Sequence, residues 1–147
     1  KSFISIVFGE AFEWGLQWDE VMLVIAPMPH ATGFQIPSIL IRGGKVVVTK
    51  GTEPAEICQL IQDEKVTIFI GVPTMYWALL AYEDKEDRFD IKAIADTLRI
   101  GVSGASSLPL EIIKGIEAKY SIPIMEGYGL SETCPVASAT ASILPSC

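Results

Sequence analysis

Eight consecutive residues, Glu126-Gly127-Tyr128-Gly129-Leu130-Ser131-Glu132-Thr133, bring two glycines, a flat aromatic ring, a hydroxyl and a carboxylate into one short stretch. Glycines at 127 and 129 permit positive φ and let a ligand come close to the backbone. The ring of Tyr128 can stack on a purine. Ser131 can hydrogen-bond a phosphate oxygen, and Glu132 is a hard oxygen ligand suited to Mg²⁺. These are the parts of a nucleotide site. The same run also reads as a strand-to-helix turn in which Ser131 caps a helix and Glu132 favours its first turn, with no ligand involved.

Three other runs carry chemistry of their own. Ala26-Pro27-Met28-Pro29-His30-Ala31-Thr32-Gly33-Phe34 holds the one histidine of the chain, which can be a ligand-facing group or a structural one. Gly71-Val72-Pro73-Thr74-Met75-Tyr76 reads as scaffold, with Trp77, Leu79 and Leu80 expected in the core. In Val102-Ser103-Gly104-Ala105-Ser106-Ser107-Leu108-Pro109 the small side chains leave room for a ligand, but a tight turn with Ser106 or Ser107 capping a helix before Pro109 has the same composition. Cys134, just past the first run, has no histidine near it in sequence to activate it. It reads as a small hydrophobe.

The elements that must position these residues alternate along the chain. Helices are expected over residues 2–14, with an apolar face of Phe3, Ile4, Val7, Phe8, Ala11 and Phe12, over residues 32–41, stopped by Gly43-Gly44, and up to Lys65 from a cap at Thr52. Two more follow, one opened by Pro73 and one over residues 109–120. Strands are expected at 21–26, 45–49, 66–70, 98–102 and 122–125, and residues 82–90 read as a charged surface loop. Nearly continuous β-branched strands between amphipathic helices imply an α/β fold, with a mainly parallel sheet flanked by helices on both faces and right-handed crossovers. In such sheets ligands bind outside the carboxyl ends of the strands. All four runs follow strands, so one shared cleft is expected.

The four runs, in this order and at this spacing, resemble the acyl-adenylate-forming (AMP-binding) superfamily of acyl-CoA synthetases, luciferases and peptide-synthetase adenylation domains. The resemblance extends from about Ile4 to Ser138. It implies that the chain is a central fragment of the large N-terminal domain of an ATP-dependent acyl-CoA ligase. Such an enzyme activates a carboxylic acid as acyl-adenylate and passes the acyl group to coenzyme A. The resemblance places adenine on Tyr128, with Glu126, Gly127, Gly129, Gly104, Ala105 and Ser106 around the nucleotide. It sets Ser131 at the α-phosphate and Glu132 on Mg²⁺. His30 falls beside the acyl carboxylate, with Gly33, Ser103, Gly104 and Leu130 lining the acyl side. Ala105 stands where a second glycine is commoner, one methyl group nearer the pocket. Relatives that activate amino acids carry an aspartate near the position of His30; residues 27–34 contain no carboxylate, which favours an uncharged fatty or aromatic acid. A domain serving a carrier protein, or a non-catalytic adenylate-binding module, are the alternatives.

Composition bounds the rest. The 147 residues are half hydrophobic, which excludes a disordered chain, and carry a net charge of −7 with no Lys/Arg cluster, which excludes a nucleic-acid scaffold. Helix N-termini can still receive one nucleotide's phosphates. No apolar run is long enough for a transmembrane helix. Three cysteines, Cys58, Cys134 and Cys147, without Cys-x-x-Cys spacing argue against a disulfide framework or a zinc site, and a reduced, cytoplasmic setting is expected. The family's Lys-bearing phosphate loop, ribose-binding aspartate, hinge and small C-terminal domain are missing from the sequence, so the isolated chain is expected to lack adenylation activity. From about residue 137 the sequence is expected to leave the family pattern, as a disordered end or a boundary.

Overall fold

The computed structural model describes residues 2–25, 31–85, 88–130 and 138–139. In chain order these form α1 (Ser2–Glu13), β1 (Val21–Val24), α2 (Ala31–Leu40), β2 (Lys45–Val48), α3 (Pro54–Glu64), β3 (Ile68–Gly71), α4 (Pro73–Ala81), α5 (Ile91–Thr97), β4 (Ile100–Ser103), α6 (Leu110–Tyr120), β5 (Ile124–Tyr128) and β6 (Ser138–Ala139). The strands make one sheet in the order β2-β1-β3-β4-β5-β6. All neighbouring pairs up to β4–β5 are parallel, and β6 runs antiparallel to β5.

Strand alternation divides the core into two layers. Met22, Val24, Ile68, Ile70, Ile100, Val102 and Met125 pack with Trp14 and Ile39 on the side of α1 and α2. Leu23 and Phe69 face the other way, into a layer with Ile57, Ile61, Tyr76, Leu79, Ile94 and Ile116 from α3, α4, α5 and α6. The chain steps from β1 outward to β2 and then back across to β3, β4 and β5. That reversal places α2 on one face and the later helices on the other, as crossovers of constant hand require.

Two features lock the strands. Tyr76 is fully buried, and its hydroxyl lies 3.0 Å from both the Phe69 and the Val102 carbonyl oxygens, joining β3 to β4 from α4. Glycine at 101 makes room for it, since a Cβ there would stand 2.9 Å from the Tyr76 hydroxyl and 2.5 Å from Ile124 Cδ1. At the amino ends of the strands, buried Glu20 receives Arg99 Nη2 at 2.5 Å and the Thr67 hydroxyl, while Arg99 Nη1 donates to the Trp14 carbonyl at 3.2 Å.

The fold agrees with the α/β expectation; several local details differ. On α1, Val7 of the expected face is buried and Ala11 packs on the core, beside buried Glu10 and, just past the helix, Trp14, whereas Phe3, Ile4, Phe8 and Phe12 are exposed. Both stripes have helical period; α2 covers the one that carries Glu10, and meets the other only through Phe34, whose ring stands edge-on to Phe3 at 5.8 Å. The cap of α3 is Glu53 rather than Thr52, without a side-chain bond, because Pro54 opens the helix with its fixed φ. Trp77 is 61% exposed, pointing away from the core that Tyr76 and Leu79 enter. A short helix, α5, follows the charged loop, capped by Asp90, whose side chain accepts the N–H groups of Lys92 and Ala93 at 3.0 Å each. The strand expected at 98–102 starts at Ile100, because Leu98 ends α5. The last parallel strand runs through Tyr128 instead of stopping at Met125. Ser138–Ala139 pairs with it, where an unstructured tail was expected.

Candidate functional site

Every parallel strand points its carboxyl end the same way, so the segments after β1, β3, β4 and β5 emerge along one edge of the sheet. β1 ends one residue before Ile25, and α2 begins at Ala31, so Gly33 lies in the first turn of a helix starting at this edge. The reversal of chain direction falls between β1 and β3, the place where open parallel sheets form a ligand crevice. Val72 alone links β3 to α4, whose first residue, Pro73, supplies helical φ without needing an N–H partner.

The most closely built part of the edge joins β4 to β5. Ser103 stands opposite Glu126 in the ladder. A Cβ on Gly104 would lie 3.6 Å from the Gly127 carbonyl oxygen, and one on Gly127 3.9 Å from that of Ser103, so the two backbones run side by side with no side chain between them. Next to this cradle Tyr128 is 63% exposed, leaving a ring face available for stacking. Leu130 is also exposed, while Ser103 is buried and its hydroxyl has no hydrogen-bond partner. Ala105 and Ser106 are exposed on the loop that follows.

Of the two uses expected of the glycines, positive φ is not found, while close backbone approach is seen at Gly127. Neither Gly127 nor Gly129 has positive φ; in this region the left-handed residue is Ala105, at φ 71°. Gly127 is extended within β5, and its missing Cβ serves close approach rather than a turn. Neither Ser106 nor Ser107 caps α6: Pro109 holds the cap position, with no side-chain bond. Instead, Glu126 Oε1 accepts the Leu108 N–H at 2.8 Å. Sequence reasoning missed this bond. Its one available signal was the N–H of Leu108, the last donor before a proline that has none.

His30, Ser131 and Glu132 lie outside the described residues, as does Cys134. Cys58 is a buried free thiol 4.0 Å from the Tyr120 hydroxyl, and burial pushes its pKa up, which suits an inert core residue. A gap of about 10 Å³ lined by Phe69, Leu79, Leu98 and Ile116 is entirely apolar, with no room for a ligand.

A family model described as "AMP-binding enzyme" matches residues 2–146. The chain belongs to this family. The match runs past residue 137, so the expected departure of the tail from the family pattern is overturned. Among similar proteins are a long-chain-fatty-acid–CoA ligase from Thermus thermophilus, 33% identical over 135 residues, covering 90% of this chain and 23% of that protein, and a feruloyl-CoA synthase from an Amycolatopsis species, 29% identical over 125 residues, covering 84% of this chain and 24% of that protein. The chain spans about a quarter of the length of these curated relatives. A solved structure of o-succinylbenzoate CoA synthetase from Bacillus subtilis, in complex with the acyl-adenylate intermediate OSB-AMP, shares the fold, with TM-score 0.79 at 20% identity, covering 95% of this chain and 27% of that one. Thus the AMP-binding family accounts for the sheet, and the edge joining β4 to β5 is where this member gathers Ser103, Gly104, Ala105, Ser106, Glu126, Gly127, Tyr128, Gly129 and Leu130. Among the described residues no helix is long and apolar enough to cross a membrane.

Proposed function

We propose that this chain is the nucleotide- and acyl-binding part of an ATP-dependent acid–thiol ligase. The observation that carries the reading is the backbone cradle between Ser103-Gly104 and Gly127, open at the carboxyl edge of the sheet beside the exposed ring of Tyr128. A planar base fits against that ring, and exposed loop backbone beside it suits the rest of the nucleotide.

In this reading Tyr128 stacks on adenine, flanked by Gly104, Ala105, Ser106 and Gly127. Gly129 completes the nucleotide's surroundings, and Ser131 donates to the α-phosphate. His30, Gly33, Ser103 and Leu130 surround the carboxylic acid. An oxygen of its carboxylate attacks the α-phosphorus of ATP, and the bond to pyrophosphate breaks. The thiol of coenzyme A then attacks the acyl carbon, AMP leaves, and the thiol proton passes to solvent. The mixed anhydride replaces a poor leaving group with a good one, and the chain's part is positioning and stabilisation of charge, without a covalent enzyme nucleophile.

Mg²⁺ binds through one or two carboxylates plus phosphates and keeps several waters. Glu132 would hold it, and the ion when bound neutralises phosphate charge. The fatty and aromatic acids named in the two relatives, with the absence of a carboxylate in residues 27–34, support an uncharged organic acid as substrate. A cytoplasmic setting, where ATP and coenzyme A meet, accords with the free thiol of Cys58.

In the full-length protein Tyr128→Ala is expected to weaken AMP binding about 10-fold or more, as loss of one base–aromatic stack does. Glu132→Gln should lower carboxylate-dependent ATP–pyrophosphate exchange by ~10²-fold, as loss of an electrostatic stabiliser does. Calorimetric titration and an exchange assay read the two, and unchanged values in both would overturn the reading.

A further inference from the structure

We propose that Glu126 is a positioning residue that holds the 103–107 loop in the shape the adenylate site needs, by gripping the far end of that loop rather than by touching the ligand. This rests on the reading above and assigns to one side chain the setting of the loop.

The loop is fixed at two points. Its near end, Ser103, is in the ladder opposite Glu126 itself. Its far end, Leu108, has a side chain buried to 3% exposure and an N–H that Glu126 Oε1 accepts at 2.8 Å. Among the described residues, no side-chain or turn hydrogen bond is made by residues 105–107, and their side chains are exposed. One residue therefore holds both ends, through its backbone at the root and its carboxylate at the return. Between those points Ala105 sits at φ 71°. A non-glycine residue stays in the left-handed region only where its surroundings over-determine it. Here the constraint is span: four residues must leave β4, turn and bring Leu108 back to a carboxylate on the adjacent strand. Without the grip, relaxation of Ala105 would move the loop away from Gly127, whose carbonyl oxygen lies 3.6 Å from where a Cβ on Gly104 would stand, and so alter the floor beside Tyr128.

The test uses two variants of the full-length protein. Glu126→Ala removes the acceptor. Glu126→Gln keeps an oxygen at the same reach and loses only the charge. AMP affinity by calorimetry should fall about 10-fold in Glu126→Ala, in line with loss of a hydrogen bond to a charged group, and stay within about 3-fold of wild type in Glu126→Gln. Amide exchange at Leu108 should lose protection in the first and keep it in the second, while amides of β3 stay protected in both. An equal loss of affinity in both variants with Leu108 still protected would make Glu126 a direct ligand contact and overturn the positioning role. So would wild-type AMP affinity in Glu126→Ala. Wild-type protein that binds no AMP would overturn the ligase reading itself, and the positioning role with it.

Discussion

Glu10 is an acid in the wrong solvent. It is 6% exposed between α1 and α2, where the Ser38 hydroxyl donates to Oε2 at 2.7 Å and Oε1 has no hydrogen-bond partner. Burial pushes its pKa from 4.5 up to about 7, and the Ser38 bond opposes that rise only in part. Because the folded value lies above the unfolded one, the folded state holds the proton more tightly. This contribution to stability is therefore full below pH 4.5, falls as pH rises to about 7, and is flat beyond. At ~1.4 kcal/mol per pH unit the loss is on the order of 3 kcal/mol. Glu10→Gln keeps a partner for Ser38 and abolishes the titration. Denaturant unfolding across pH 4 to 8 should show a flatter profile for the variant and a gain over wild type of up to about 3 kcal/mol at pH 8. Parallel profiles would show that Glu10 ionises without cost. The residue was invisible to period-based reading, because a single acid on an apolar helix looks like a solvent-facing position.

The ends of elements hold the strain that their middles lack. α3 closes on Lys65 at φ 52° and ψ 52°, with the Lys65 and Val66 N–H groups both donating to the Ile61 carbonyl. A left-handed residue with a Cβ costs roughly 1–2 kcal/mol, and glycine returns some of that through its freer unfolded chain. Lys65→Gly is therefore expected to stabilise the protein by about 0.5–1 kcal/mol, read as a rise in the urea midpoint at unchanged slope. A lower midpoint would mean that the lysine stem packs against the helix end. Element order and type were legible from alternating β-branched and amphipathic stretches, because burial on both faces of a parallel sheet writes itself into composition. Capping was less so: a threonine at 52 competes with a proline at 54, and the proline decides. α5 was hidden because its one clear signal, Asp90, sits at the end of a charged run that reads as loop. In the candidate site, the loops at the strand ends were legible by type. The Glu126–Leu108 bond was not, because it depends on the register of β4 against β5, which joins residues far apart in sequence.

At the scale of the molecule, the sheet has a binding end and a structural end. Glu20, Thr67 and Arg99 tie the start of β1 to the starts of β3 and β4, whereas the candidate site lies past Ser103, roughly 13 Å further along at ~3.3 Å per residue. Glu20→Ala leaves the Arg99 guanidinium without its buried counter-charge and should cost about 3 kcal/mol or more. AMP affinity of the folded variant should remain at the wild-type value. Chemical denaturation and titration of the same preparation separate the two, and a loss of affinity without a loss of stability would mean that the ends communicate. The outer rail of the sheet has a different consequence. Among the described residues β2 pairs only with β1, and its run Val46-Val47-Val48-Thr49 is the composition from which fibrils grow. Lys45, paired with Glu64, and Lys50 bracket that run, both exposed, and charged residues at the ends of such a run disfavour the stacking of a second copy in register. Gatekeeping by two lysines is what this placement implies for the edge that β2 presents among the described residues.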